Sequence, residues 1–157
     1  PVSTPAPTPT PTAATQTITY TFGDEPRAGA YDGAKALASN GQDNTMIFVP
    51  RNCPSFSCAD VETIGSLNYE KLKKDCPDSH FLVLETKGKA AAGKSALTSA
   101  GYNLIATGMA SGLSVDATNE LELTNAAGPV AGSVKVASGE GAGLEKIEGT
   151  FSAILCP

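Results

Sequence analysis

Tryptophan is absent from this 157-residue chain, aromatic residues make up only 6% of it, and His80 is the single histidine. Any Ser-His-Asp or Cys-His arrangement would therefore have to use His80. Charged residues are also scarce, at 17% against about 25% in an average soluble domain. The net charge of −5 excludes phosphate-backbone binding as the main task, so no nucleic-acid partner is expected. No apolar run approaches the ~20 residues of a membrane-spanning helix. There is no G-x-S-x-G nucleophile elbow, no D-x-[DN]-x-[DN]-G calcium loop, no N-x-[ST] sequon and no repeat of fixed period. What the chain does have is glycine (16), proline (11) and many small Thr, Ser and Ala residues, with 41% apolar residues to build a core. Its length suits one domain.

Four cysteines are present: Cys53, Cys58, Cys76 and Cys156. An even count in a chain of low charge points to two disulfides and an oxidising compartment. Four cysteines allow three pairings, and sequence does not choose among them. The working expectation is Cys53–Cys58 with Cys76–Cys156, the second bond anchoring the last strand. A structural zinc site would need two close ligand pairs, and only Cys53-x4-Cys58 is close. No metal and no cofactor are expected.

The first segment, PVSTPAPTPTPTAAT, holds five of the prolines and no charged side chain. Proline fixes φ and removes donors, so residues 1–15 are expected to form an extended, flexible tether. The composition resembles the spacer that follows the lipidated cysteine of bacterial surface lipoproteins, and equally an O-glycosylated linker of a secreted protein. The chain opens at Pro1 with no basic or apolar leader segment, and with these cysteines it is expected to be a mature or trimmed form of an exported protein. Residues 16–157 are then one globular domain.

Within that domain, Gln16–Phe22 alternates Ile18, Tyr20 and Phe22 with threonines, a half-buried strand. Gly23–Gly29 reads as a turn. A short helix is expected from Asp32, stopping at Asn40-Gly41, and a second at Tyr69–Cys76, capped by Asn68 and stopped by Pro77. Thr45–Val49 is a strand ended by Pro50, and His80–Thr86 a strand buried on both faces. Ala90–Ala100 reads as a third short helix. Strands follow at Tyr102–Thr107, Leu113–Asp116, Glu120–Thr124, Val130–Ala137 and Lys146–Leu155, with turns at Asn125–Pro129 and Ser138–Gly143. In the last strand Ile147, Phe151, Ala153 and Leu155 should face inward, with Gly149 at a bulge or close packing point. The expected fold is mainly β (α+β as the alternative): an antiparallel sandwich or partly open barrel, disulfide-bonded, with one to three short helices in its first half.

The sharpest formal motif is Gly88-Lys89-Ala90-Ala91-Ala92-Gly93-Lys94-Ser95, which satisfies G-x4-G-K-[ST], the phosphate-cradling loop. Gly88, Gly93, Lys94 and Ser95 would be its working residues. Its setting argues for a chance match in a Gly- and Ala-rich chain. Three residues separate it from the preceding apolar strand, the helix that could follow is short, and no later strand ends in Asp within a parallel pattern. Carboxylates are scattered. Glu120 and Glu122 alternate with leucines and read as the wet face of a strand. Asp60 reads as a local cap, and Lys71–Lys74 as a solvated helix face.

Three functions compete. The first is a non-enzymatic exported domain of the cell envelope or surface. It would bind a protein or glycan partner, and its only membrane contact would be a lipid anchor upstream of Pro1. The second is a fibre or pilus-type subunit that self-associates by strand addition through residues 15–22. The third is a small exported hydrolase, which needs a pocket with two close carboxylates.

Overall fold

A computed structural model describes residues 16–22, 28–62, 65–113, 115, 119–126, 129–138 and 145–157. The expected tether (1–15), Asp116, the larger part of the turns expected at 23–29 and 138–143, and residues 127 and 128 of the turn expected at 125–129 lie outside the described residues.

Among the described residues ten strands form: β1 (Thr17–Thr21), β2 (Gly29–Asp32), β3 (Leu37–Asn40), β4 (Asn44–Arg51), β5 (His80–Lys87), β6 (Gly93–Leu104), β7 (Met109–Leu113), β8 (Glu120–Asn125), β9 (Val130–Ser138) and β10 (Glu145–Cys156). One α-helix, α1 (Tyr69–Asp75), stands among them. The protein is mainly β. The hydrogen-bonded order β10-β3-β4-β5-β6-β8-β9 returns to β10, so seven strands close a circuit. β1 and β2 extend from β10, and β7 pairs with β6.

Two apolar clusters share the walls of this circuit. The first gathers Ile18, Tyr20, Tyr31, Ile47, Leu82, Leu121, Ile147 and Phe151 among others. The second gathers Phe48, Phe56, Leu72, Phe81 and Ile105 beneath α1 and the cysteine-bearing segment. Alternation along β4 and β5 explains the split: Ile47, Leu82 and Leu84 enter the first core, while Phe48 and Phe81 enter the second. β5 is thus buried on both faces, as its uninterrupted apolar run implied.

Several local expectations are corrected. Ala90–Ala100 is not helical. Gly93–Leu104 is one long strand, because its edges serve β5, β7 and β8 and its inward residues Leu97, Ala100 and Tyr102 fill the first core. Tyr102–Leu104 belongs to that same strand, and residues 105–108 turn. The next strand ends at Leu113 instead of starting there. At Asp32 only a single 3-10 turn forms, Gly33–Lys35, with the Asp32 carboxylate accepting from Ala34 N at 3.0 Å. Leu37–Asn40 then becomes β3. Pro50 does not end β4. The β3 ladder stops at Phe48, so beyond it only the β5 side is paired and the missing proline N–H costs no second ladder bond. β3 and β10 pair in parallel, against the expected antiparallel pattern, over Ile154↔Leu37, Leu155↔Ala38 and Cys156↔Ser39.

The disulfides are Cys53–Cys76 and Cys58–Cys156, not the expected pairing. The reason is local. A 3-10 turn at Cys58–Asp60 turns Cys58 toward the end of β10, and the end of α1 presents Cys76 to Cys53. Asn68 caps α1, its Oδ1 accepting from Lys71 N at 3.1 Å. Asp60, only 2% exposed, accepts from Ser57 N at 2.8 Å and Ser57 Oγ at 3.2 Å. Lys71 does not lie on a purely solvated face: its ammonium donates to Asp60 at 2.5 Å and to Asp75 at 2.8 Å. Those hydrogen bonds, Asp60 first, push the Lys71 pKa up to about 12, and the same contact lowers that of Asp75. No helix among the described residues is long and apolar enough to cross a membrane.

Candidate functional site

The P-loop-like segment is a hairpin connection. Gly88, with φ +80°, turns the chain after β5, and Gly93, with φ +113°, opens β6. A phosphate cradle depends on free amides at the mouth of a helix. Here the Gly88 amide donates to Asp43 O at 2.7 Å and the Ala90 amide to Asn40 Oδ1 at 3.1 Å. The Thr45 hydroxyl, fully buried, lies 2.8 Å from both Asn40 Oδ1 and Gly88 O. Lys94 reaches across to Glu120, 3.1 Å from both carboxylate oxygens. Ser95 pairs with Leu121 in the ladder. A strand follows this loop where the motif needs a helix.

His80 opens β5 opposite Arg51 of β4 and Leu104 of β6. Its Nδ1 is buried without a hydrogen-bond partner. Burial, then the nearby Arg51 charge, holds its pKa below the ordinary imidazole value, while Asp78 pulls the other way. Among the described residues, no group of three His, Cys, Asp or Glu side chains could hold a metal ion.

A concavity lies across β8, β9 and β10. It holds about 460 Å³ and is lined by Gln16, Glu122, Thr124, Ala131, Gly132, Ser133, Thr150 and Phe151. Register builds it. Glu122 stands opposite Ser133, and Ser133 opposite Thr150, so three outward side chains form one row across three strands. The β8–β9 pairing shifts between Leu123 and Asn125, and such an irregularity bends a sheet locally. At Gly132 a Cβ would overlap Glu122 O, so only glycine lets the two backbones approach there. Thr124 Oγ1 donates to Ala131 O at 3.2 Å, leaving the oxygen's lone pairs as acceptors. The polar part of the lining is thus three hydroxyls, a carboxamide and one carboxylate, set among Ala131, Gly132 and Phe151. Glu120, two residues along β8, is engaged by Lys94.

Glu122 was readable as a wet-face residue. Thr150 follows as an outward residue from the inward row of the last strand, whereas only the register between strands sets Ser133 and Thr150 beside Glu122. The chain matches no protein-family model, no curated protein and no solved structure.

Proposed function

We propose that this is a non-enzymatic exported domain of the cell surface or envelope, whose β8–β9–β10 groove binds a glycan. Its fold is read as a barrel, not a sandwich, on the strength of the closed seven-strand circuit. The observation that carries the reading is the groove's chemistry: three hydroxyls, a carboxamide and one carboxylate beside Phe151 and Ala131 in about 460 Å³, within the size range of small-molecule sites. Such groups exchange hydrogen bonds with sugar hydroxyls. The two disulfides support export, because such bonds persist in oxidising compartments. A single carboxylate among the lining residues favours binding over the paired-carboxylate chemistry of glycoside hydrolysis. Strand addition through residues 15–22 is less favoured, since β1 is already paired on both sides, with β2 and β10 of its own chain.

Titration with soluble cell-wall oligosaccharides, followed by amide chemical shifts, tests the proposal. The expected result is saturable shifts clustered at Glu122, Thr124, Ser133 and Thr150. Glu122→Ala should weaken binding about tenfold or more through loss of a charge-assisted hydrogen bond. Shifts that never saturate, or that cluster elsewhere, would overturn the assignment.

A further inference from the structure

The disulfides that form pass over the pairing that spacing favours. Only four residues separate Cys53 from Cys58, whereas Cys53–Cys76 joins residues 23 apart and Cys58–Cys156 residues 98 apart. Loop closure costs more chain entropy as the loop lengthens, so an unstructured chain favours Cys53–Cys58. That bond would block both native ones. Only folded structure that holds the two cysteines toward different partners overturns this preference.

The segment from Cys53 to Lys71 supplies it. Two separate turns lie between Cys53 and Asp60. In the first, Phe56 N donates to Cys53 O at 3.2 Å, and the Phe56 ring packs on Phe81 of β5, with centroids 4.7 Å apart. In the second, Asp60 N donates to Ser57 O at 2.9 Å, while the Asp60 carboxylate accepts from Ser57 N and Ser57 Oγ. The chain then doubles back. Glu62 N donates to Ser66 O at 2.7 Å, Val61 bridges Leu67, and Asn68 N donates to Asp60 O at 2.8 Å. This return brings Lys71 of α1 onto Asp60. A carboxylate as buried as that of Asp60, 2% exposed, stays ionised in place only when it is paired. Lys71 is the cation that the structure gives it.

We infer that the Asp60–Lys71 ion pair steers disulfide pairing, by fixing the Ser57–Asp60 turn so that Cys58 is withheld from Cys53 and kept for Cys156. Lys71 acts through Asp60 and is a positioning residue. Without its charge the buried carboxylate moves to water, the turn that it closes is released, and Cys58 comes within reach of Cys53. Each bond forms by thiol–disulfide exchange. Two cysteine thiols are oxidised, and one disulfide of a small thiol such as glutathione takes both electrons and both protons to become two thiols. Asp75, the second partner of Lys71, is exposed, and exposed ion pairs contribute little, so the steering rests on Asp60. The inference is independent of the glycan reading and involves a different part of the molecule.

Refolding of the reduced, denatured full chain in a mixture of reduced and oxidised glutathione tests it, with the bonds mapped after acid quench and tryptic digestion. No Lys or Arg lies between Cys53 and Cys58, so both share one peptide, while Cys76 and Cys156 lie on two others. The native pairing joins the three peptides into one species. Cys53–Cys58 leaves its peptide alone with an internal bond. Lys71→Met should raise the Cys53–Cys58 fraction about fivefold or more over the wild type, because it leaves the Asp60 charge unpaired. Lys71→Arg should return that fraction to the wild-type level. Gly132→Ala is the control: a Cβ there overlaps Glu122 O, so it destabilises the domain outside this lobe and should keep the wild-type pairing. The whole refolded population is mapped, so a variant that folds poorly still reports its bonds. Wild-type pairing in Lys71→Met, mispairing in Lys71→Arg, or equal mispairing in Gly132→Ala would each overturn the inference.

Discussion

His80 shows how one side chain sets a pH response. It is the only imidazole in the chain, and no other side-chain type ordinarily titrates between about pH 5 and 8. Burial and then Arg51 lower its pKa in the folded protein, with Asp78 opposing. The unfolded chain, with imidazole near the ordinary value of about 6.5, therefore binds its proton first as pH falls. Stability is then full above about pH 6.5 and declines as pH drops from there toward the lower folded value. Urea midpoints measured between about pH 8 and 5 should show this decline in the wild type. His80→Gln should flatten it while changing stability little at pH 8. An unchanged slope in the variant would assign the response to another group.

Strand β10 carries the element-scale argument, because three ladders meet on it. Gly149 is paired with Ile18 of β1 and with Val134 of β9, and its φ is +145°. A Cβ at this position would overlap Thr17 O, which is backbone and cannot swing aside. Gly149→Ala should therefore destabilise by about 2 kcal/mol or more, through strain and separation of β1 from β10. Chemical denaturation monitored by Tyr fluorescence would measure it, and a change under about 0.5 kcal/mol would contradict the close approach. This glycine was legible in advance, since it interrupts the inward row Ile147, Phe151, Ala153, all buried as the alternation implied. So was α1, through Asn68 and Pro77. Strand β6 was not, because Gly93–Ala100 is mostly small residues, with Leu97 its one large apolar side chain and no period-two contrast, and its extended state is imposed by its neighbours. The groove was half legible. Glu122 follows from alternation within β8, whereas its row with Ser133 and Thr150 follows only from the register between strands.

At the scale of the molecule, closure of the seven-strand circuit rests on the seam between β3 and β10. That seam is three residue pairs long and parallel, against nine pairs between β9 and β10. Cys156 is the last residue of the seam, and its bond to Cys58 fastens β10 to the lobe that carries α1. The two disulfides differ in reach: Cys58–Cys156 joins residues 98 apart, Cys53–Cys76 residues 23 apart. Chain-entropy scaling makes them worth about 4.7 and about 3.4 kcal/mol respectively, through constraint of the unfolded chain. A protein with so few large aromatic residues has less apolar burial to absorb such a loss. Replacing Cys58 and Cys156 together with Ser should then lower stability by about 4 kcal/mol, more than replacing Cys53 and Cys76. It should also have a signature that entropy alone does not predict. Amide exchange should accelerate first at Leu37–Ser39 and Ile154–Cys156, while the β9–β10 ladder keeps its protection, because the long ladder holds without the staple and the short one does not. Uniform loss of protection across both ladders would mean that the bond stabilises the domain as a whole and does not specifically close the seam.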